Sequence, residues 1–269
     1  MKFLAIRRDD RFSPNAVEKD KSILRRCCEV VRRSLQLKED IRMVDEREFA
    51  RNPIEADVYL SMARLRSTLH MLCKMETAGA WILNAPRGVL NCRRSLLDRI
   101  MRVHQISMPP AVGNYGYWLK RGDEAAQSKA DVVFCKDTDA LVQAKEAFRA
   151  RGVKDMVVSA HVPGDLLKFY GVGAEFFRFF YPSDDGISKF GDEKLNGKAH
   201  HYSFDSKALQ SEVVKLSKLV GVDVFGGDAI VDSQGRYYII DFNDWPSFSR
   251  CREDAAVAIA AKVVHHKAL

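Results

Sequence analysis

The sequence predicts an α/β protein with a parallel sheet in its first lobe and two smaller α+β units after it. Three observations predict this class. Strand-like and helix-like segments alternate through the first third, a Met108-Pro109-Pro110 break follows them, and two strand-like runs near the C-terminus flank a short turn. Repeated strand-helix order predicts parallel strands covered by helices. With 269 residues, the chain can bury a sizeable core.

The first unit, residues 1–85, has the alternating order of strands and helices. We expect its first helix to begin at Ser13-Pro14, a good N-cap and N1 pair, and to continue through Leu35 with one apolar face. The other elements expected here are strands at Phe3 to Arg7, Ile41 to Val44, Val58 to Met62 and Trp81 to Leu83, and a helix at Ser67 to Ala78.

The second unit, residues 86–165, begins with a basic helix expected at Arg93 to His104. After the proline break we expect strands at Tyr117 to Lys120, Val132 to Cys135 and Met156 to Ser159, and a helix at Thr138 to Ala150 that Gly152 closes. The third unit, residues 166–269, is expected to contain two strands, a loop at Asp184 to Ser203, a helix at Ser206 to Val220 between Asp205 and Gly221, a hairpin and a terminal helix.

Composition and charge bound the class of protein. The chain is 46% hydrophobic and 29% charged, with no run long enough for a bilayer helix and an N-terminus too short for the apolar part of a secretory signal. Six cysteines without a CxxC pair suit a reducing, cytoplasmic setting. The net charge of +7 suits an anionic partner, but no basic stripe with interleaved aromatics indicates nucleic acid. The sequence leaves open whether the protein forms a homo-oligomer.

The most informative segment is the expected hairpin from Val224 to Asn243. If Gln234 and Gly235 form a two-residue loop, Asp228 faces Asp241 across the hairpin. A longer loop would shift this register by a residue or two. Two carboxylates opposed on one face, with Cβ atoms ~5 Å apart, repel each other and call for a positive charge between them.

Asn243 adds a third oxygen to this pair of carboxylates. It lies two residues beyond Asp241 and therefore on the same face of the strand. Three oxygen ligands without sulfur or imidazole favour a hard cation, Mg²⁺ in particular. The alternative is that Asp241 to Asn243 only end a strand before a turn, where Asp and Asn are common.

With the hairpin, the order of landmarks along the chain resembles that of the ATP-grasp superfamily. The landmarks are Asn84-Ala85-Pro86 before a basic helix, a strand that ends in Lys120, the segment from Val162 to Gly173, and Asp228 followed by Ile239-Ile240-Asp241-Phe242-Asn243. The resemblance implies an ATP-grasp fold with a flavodoxin-like N-terminal lobe and two α+β subdomains that enclose ATP. It also implies that Asp228, Asp241 and Asn243 ligate one or two Mg²⁺ ions at the terminal phosphates.

The same resemblance implies roles for further residues. Lys120 and either Arg93 or Arg94 would contact phosphates, Val158 to Gly164 with His161 nearby would form the adenine hinge, and Lys168 would be the basic residue after the hinge. Without the resemblance, Lys120 would be read as a surface lysine at a strand end, and Arg93 and Arg94 could equally lie on a solvated helix face. Arg178 lies among Phe176, Phe177, Phe179 and Phe180, so it needs an anionic partner, either a structural carboxylate or the γ-phosphate or substrate.

Three departures from the family pattern leave the reaction open. The loop Arg121-Gly122-Asp123-Glu124 lacks the usual small residues, Asp241 replaces the glutamate of the ligases, and Gly226 stands where they often have arginine. Asp241-Phe242-Asn243 and Lys168-Phe169-Tyr170 are similar to the inositol polyphosphate kinase branch.

Three functions follow from the resemblance and its departures. The leading hypothesis is a ligase that activates a small carboxylate as an acyl phosphate for attack by an amine. The alternatives are a kinase that phosphorylates a hydroxyl of an anionic, inositol phosphate-like substrate, and a nucleotide-binding module without catalysis. Both enzymatic hypotheses expect ATP, Mg²⁺ and a small anionic substrate.

Overall fold

A computed structural model of the chain describes residues 1–13, 15–123, 129–185 and 197–268. Its N-terminal lobe has a parallel sheet of β1 (Phe3–Arg7), β2 (Arg42–Asp45), β3 (Val58–Ser61) and β4 (Trp81–Leu83) in the order β2-β1-β3-β4. The connecting helices are α1 (Val17–Ser34), α2 (Glu46–Arg51) and α3 (Arg66–Thr77). The expected alternation of parallel strands and helices is confirmed, and α2 is an element that the sequence did not suggest.

The start of α1 differs from the expectation at Ser13-Pro14. The helix begins at Val17, and a 3₁₀ turn at Asp10–Phe12 precedes it. Ser13 does not cap the helix, because its hydroxyl donates to the Asp20 carboxylate at 2.5 Å and both side chains are buried. A buried carboxylate needs such donors, and this need outweighs the capping preference of serine.

The second sheet has an antiparallel arrangement of β5 (Tyr117–Arg121), β6 (Val132–Cys135) and β7 (Met156–Ala160) in the order β6-β5-β7. We call this sheet, with helix α6 (Thr138–Ala150), the lid. Alternate side chains such as Leu119 and Cys135 pack with Phe148 of α6 in a small core. Because side chains alternate along a strand, Trp118 and Lys120 lie on the other face of the lid sheet.

The third sheet contains β8 (Asp165–Val172), β9 (Phe176–Phe180), β10 (Val224–Val231) and β11 (Tyr237–Asp244), all antiparallel, in the order β11-β10-β8-β9. Helices α7 (Pro182–Asp185), α8 (Ser206–Val220) and α9 (Arg252–Ala268) belong to this part of the chain. The expected caps of α8 are confirmed: Asp205 accepts from two backbone N–H groups, and Gly221 has a φ of 88°. Residues 186–196 of the expected loop at Asp184 to Ser203 lie outside the described residues.

The core of the third sheet is divided between its two faces. On one face, apolar residues of β8 and β10 pack with α8. On the other face, Tyr170, Val172 and Val224 pack with Ile23 of α1 and Ile259 of α9. The third sheet therefore shares one core with the N-terminal lobe, whereas the lid has a core of its own.

The connection between the first two sheets contains two helices, α4 (Pro86–Asn91) and α5 (Arg94–Val103), where the sequence suggested one. Leu97 and Met101 of α5 are buried in the core that also contains α8. Asn91 Nδ2 donates to the carbonyl of Val220 at 2.9 Å. Helix α4 packs against α3 of the N-terminal lobe and against α8, and α5 contacts both α8 and β7 of the lid, although the sequence grouped both helices with the second unit. The boundaries at residues 85 and 165 stay predictions.

We expect Gly88→Ala to destabilise the protein by about 2 kcal/mol, as overpacking in a tight contact does. A Cβ at this position would lie 1.9 Å from the Gly221 carbonyl oxygen, so backbone would have to shift. Urea unfolding measures the effect. Gly79→Ala is the control, because a Cβ there meets nothing within 4 Å and only the φ of +102° opposes the substitution. Gly79→Ala thus measures the cost of backbone strain alone, whereas Gly88 lies within α4 without a left-handed φ, so a Gly88→Ala variant as stable as the unsubstituted protein would contradict the close contact.

Within the described residues, no helix combines the length and the apolar character needed to cross a membrane. All six cysteines are free thiols.

Candidate functional site

The hairpin that carries the expected metal ligands has a three-residue loop. Gly235 N–H donates to the Asp232 carbonyl, and Gly235 has a φ of +77°. The expected two-residue loop is therefore wrong. Near the turn Val231 faces Tyr237, one residue away from the expected register, but a β-bulge between Asp228 and Ala229 restores it. Asp228 faces Asp241, and this predicted pairing is confirmed.

Asp228, Asp241 and Asn243 lie on one face of the hairpin and offer three side-chain oxygens. Asn243 Nδ2 donates to Asp241 Oδ2 at 2.7 Å, which leaves Asn243 Oδ1 as the amide's ligand atom. In the described part of the chain, no cluster of three or more His, Cys, Asp and Glu side chains could hold a metal. The donor set of two carboxylates and one amide is the type that suits Mg²⁺, with positions left for water and phosphate.

Lys168 and Lys120 supply positive charge beside the two carboxylates. Lys168 Nζ lies 2.9 Å from Asp228 Oδ1, and Lys168 faces Asp228 across β8 and β10. Lys120 Nζ donates to the Ile240 carbonyl at 2.9 Å. Burial together with nearby Arg94 lowers the pKa of Lys120 to about 8, against the attraction of Asp241 and Asp228. An added anion such as phosphate would stabilise the charged form of this buried lysine.

Asp241 is ionised at neutral pH in this environment. Burial acts to raise the pKa of its carboxyl group, but the positive charges of Arg94 and Lys120 and the hydrogen bond from Asn243 outweigh burial, so the pKa lies below its ordinary value. An ionised carboxylate is the form that binds a metal ion.

Arg93 precedes α5 as its N-cap residue, and Arg94 is the first residue of the helix. Arg94 lines a cleft between the lid and β11, together with Lys120 and Asp241, and its Nη1 donates to the Arg121 carbonyl at 2.7 Å. Arg93 Nε donates to the Asp123 carbonyl at 3.2 Å, in the loop that follows β5. Of the two arginines, the structure brings Arg94 to the carboxylates.

Residues of β7 show what the sequence interpretation missed in this cleft. Val157 and Ser159 line it, as do Met108 and Ile240. Val158, between them, instead packs its side chain into the core of the lid, so only its backbone could serve as the predicted adenine contact. The period-two alternation of a strand was the available signal, because it sends Val157 and Ser159 to the face that carries Lys120.

His161 belongs to a cluster of three rings on the cleft side of the lid. Its Nδ1 accepts a hydrogen bond from Trp118 Nε1 at 3.2 Å, and its ring lies 5.5 Å from that of Phe134. Burial lowers the pKa of His161, which keeps the imidazole neutral and able to accept this bond. Phe134 is 45% exposed, so the cluster presents an aromatic surface.

The register places Arg178 on the face of the third sheet that also carries Lys168 and Asn243, but on the edge strand β9. Its side chain is exposed, Nη1 donates to the Phe177 carbonyl at 2.9 Å, and the guanidinium lies 5.3 Å from the centroid of the Phe176 ring. No carboxylate of the described residues forms an ion pair with it. The interpretation that a structural carboxylate pairs with Arg178 therefore finds no partner within 1–13, 15–123, 129–185 and 197–268.

No protein-family model matches the sequence, and no curated protein matches it. Solved structures do match over nearly the whole chain. A RimK domain ATP-grasp protein from Sphaerobacter thermophilus is 15% identical with a TM-score of 0.66, covering 97% of this chain and 99% of that one. The D-alanine–D-alanine ligase from Bacillus anthracis is 11% identical with a TM-score of 0.64, covering 99% of each chain.

A third similar structure is the ATP-grasp ligase PsnB in complex with a minimal precursor. It is 13% identical with a TM-score of 0.64, covering 98% of this chain and 99% of that one. The three sheets, their order along the chain and these matches agree with the fold that the landmarks implied. The chain has the ATP-grasp fold.

Proposed function

We propose that the protein is a Mg²⁺-ATP-dependent ligase that activates a small carboxylate as an acyl phosphate for attack by an amine. One observation carries this proposal: Asp241, with Asp228 opposite it and Asn243 hydrogen-bonded to it, lies in a cleft that Lys120 and Arg94 also line. Oxygen ligands beside two cations match the charges of a metal-bound triphosphate.

In this proposal Asp228, Asp241 and Asn243 hold Mg²⁺, which neutralises charge on the phosphoryl group that is transferred. Lys120 would exchange the Ile240 carbonyl for phosphate oxygens, and Arg94 would add a second cation. The ring cluster of Trp118, Phe134 and His161 lies on the lid face that would cover the base. The segment from Val158 to Gly164 would supply backbone contacts to adenine.

The reaction has two steps. An oxygen of the substrate carboxylate attacks the γ-phosphorus, the bond to the β,γ-bridging oxygen breaks, and ADP leaves. The amine nitrogen then attacks the acyl carbon, inorganic phosphate leaves, and the amine loses a proton. Because both steps develop or move negative charge, fixed cations such as Lys120 and Arg94 are suited to stabilise them.

The similar structures support the nucleotide and the metal. PsnB has been solved with Mg and ADP, and the D-alanine–D-alanine ligase from Bacillus anthracis with ATP. PsnB has also been solved with a precursor peptide and AMPPNP. By analogy a carboxylate on a small molecule or on a peptide would fit the proposal, and the positive net charge of the chain suits either if it is anionic.

A kinase is the second candidate. Lys168 lies 2.9 Å from Asp228, where it could bind a phosphate-bearing acceptor, and Asp241 stands in place of the ligases' glutamate. In a kinase the γ-phosphoryl group would pass to a hydroxyl oxygen and remain on the product. A nucleotide-binding module without catalysis would bind Mg²⁺-ATP and turn over none.

Hydroxylamine trapping separates these functions. The protein is incubated with ATP, Mg²⁺, hydroxylamine and a panel of small carboxylates, and hydroxamate and free phosphate are measured. A ligase gives hydroxamate and phosphate in equal amounts, dependent on Mg²⁺. Phosphorylated product from a panel of polyols and inositol phosphates, without hydroxamate, would replace the ligase by a kinase. Calorimetry that finds no Mg²⁺-dependent ATP binding would contradict all three functions.

A further inference from the structure

Two arginines of the N-terminal lobe hold the two residues that follow Asn243. Arg64 Nη2 lies 2.7 Å from Asp244 Oδ1 and donates to the Asp244 carbonyl at 3.0 Å, and Arg64 Nε lies 3.3 Å from Asp244 Oδ2. Arg8 Nη2 donates to the carbonyl of Trp245. Asp244 and Trp245 are buried, and Arg8 is 5% exposed. These contacts cross from one lobe to the other, directly beside a candidate metal ligand.

The backbone segments that carry the two arginines are held by a buried carboxylate. Glu46, at the start of α2, accepts the backbone N–H groups of Arg64 and Leu65 at 2.8 Å each and that of Asp9. Arg8 immediately follows β1, and Arg64 lies shortly after β3. Glu46 therefore ties together the loops that begin at the carboxyl ends of both strands, and each loop sends one arginine across to the end of β11.

The chain needs this support where β11 ends. Trp245 has a φ of +31° and Phe248 a φ of +47°, which large side chains rarely adopt. Such conformations persist only where surrounding contacts hold them. The Trp245 N–H donates to the Val224 carbonyl, and the arginines hold the carbonyls of Asp244 and Trp245. Asn243 is thus the last residue before a turn that is fixed from the N-terminal lobe.

We propose that Arg64, and with it Arg8, are positioning residues that hold Asn243 in place to bind the metal. This inference rests on the proposed Mg²⁺-nucleotide site. Neither arginine touches Asp228, Asp241 or Asn243 in the contacts given above. Their effect passes through the backbone at Asp244 and Trp245. Outer partners of metal ligands act in this way, and their loss typically weakens metal affinity by about 10- to 100-fold.

The test compares Arg64→Lys with Asp244→Asn in the full-length protein. ADP binding is measured by calorimetry while Mg²⁺ is titrated, and urea unfolding is measured in parallel. We expect the Mg²⁺ concentration for half-maximal ADP binding to rise at least about tenfold in both variants, while ADP affinity at saturating Mg²⁺ changes little. The double variant should resemble the stronger single variant, because both changes break one interaction.

Arg26→Lys is the matched control. Arg26 of α1 also forms an ion pair with the C-terminal part of the chain, since its Nε lies 2.7 Å from Glu253 Oε2, but this pair is more exposed and joins α9 instead of the turn that follows Asn243. The Arg26→Lys variant should therefore keep the Mg²⁺ dependence of ADP binding unchanged. Lower stability with unchanged Mg²⁺ dependence in Arg64→Lys and Asp244→Asn would overturn the inference. Absence of Mg²⁺-dependent ADP binding in the unsubstituted protein would overturn the proposed function, and this inference with it.

Discussion

Asp241→Asn is expected to lower Mg²⁺-dependent ATP turnover by roughly a hundredfold or more while the protein remains folded. The variant keeps the size of the side chain but replaces an ionised carboxylate with a neutral amide. In our proposal this removes a metal ligand and a charge that faces Lys120 and Arg94. Loss of on the order of 3 kcal/mol of transition-state stabilisation corresponds to this factor. Phosphate release from ATP with the accepted substrate measures it.

The same substitution at Asp139 is the control for this prediction. Asp139 is an exposed carboxylate in the first turn of α6, on the far side of the lid from Asp241. Asp139→Asn should keep full turnover. Thermal unfolding of both variants shows whether the fold is retained. Turnover in Asp241→Asn equal to that of the unsubstituted protein would rule out the metal assignment.

Asn84→Ala should produce the largest loss of stability, about 3 kcal/mol. Asn84 follows β4 and is buried, yet its side chain makes three hydrogen bonds to the start of β10. Nδ2 donates to the Val224 carbonyl at 2.7 Å, and Oδ1 accepts from Asp223 N at 2.9 Å and from Val224 N at 2.8 Å. Each bond contributes about 1 kcal/mol, and the alanine removes the acceptor of the buried Val224 N–H group.

Asn91→Ala provides the comparison, measured by the same urea unfolding experiment. Asn91 also sends its amide to a backbone carbonyl near the end of α8, but through a single bond of 2.9 Å to Val220. We expect it to lose only about 1 kcal/mol. If the two variants unfolded at the same urea concentration, the prediction that the three hydrogen bonds of Asn84 contribute more stability than the single bond of Asn91 would be wrong.

The hairpin of β10 and β11 shows how far the sequence could predict the candidate site. The opposition of Asp228 and Asp241 was predicted from a loop that does not exist. The real loop is one residue longer, and a bulge opposite the Asp228–Ala229 step compensates for it. Loop length could have been suspected from Asp232, whose carboxylate accepts the Gln234 and Arg236 N–H groups. A bulge has no comparable signal in a single sequence.

Contacts between distant parts of the chain could not be predicted. Asn84 was identified only as part of a landmark, and its role as a clamp on Val224 depends on residues 140 positions apart. Arg8 and Arg64 had no local signal, because what distinguishes them is the end of β11 that they contact. Local patterns predicted the parallel lobe, the caps of α8 and the alternation of β5, where neighbouring residues alone decide the structure.

The bulge in β11 gives Lys120 its present partner. Ile240 has no opposed residue on β10, and the ammonium group of the lid binds its carbonyl oxygen at 2.9 Å. An irregularity in one strand thus provides a contact between the lid and the third sheet, in which a cation binds a neutral acceptor. In the proposed function, a triphosphate is a far stronger acceptor and would compete for that same ammonium group, so nucleotide binding would release this contact between the lid and β11.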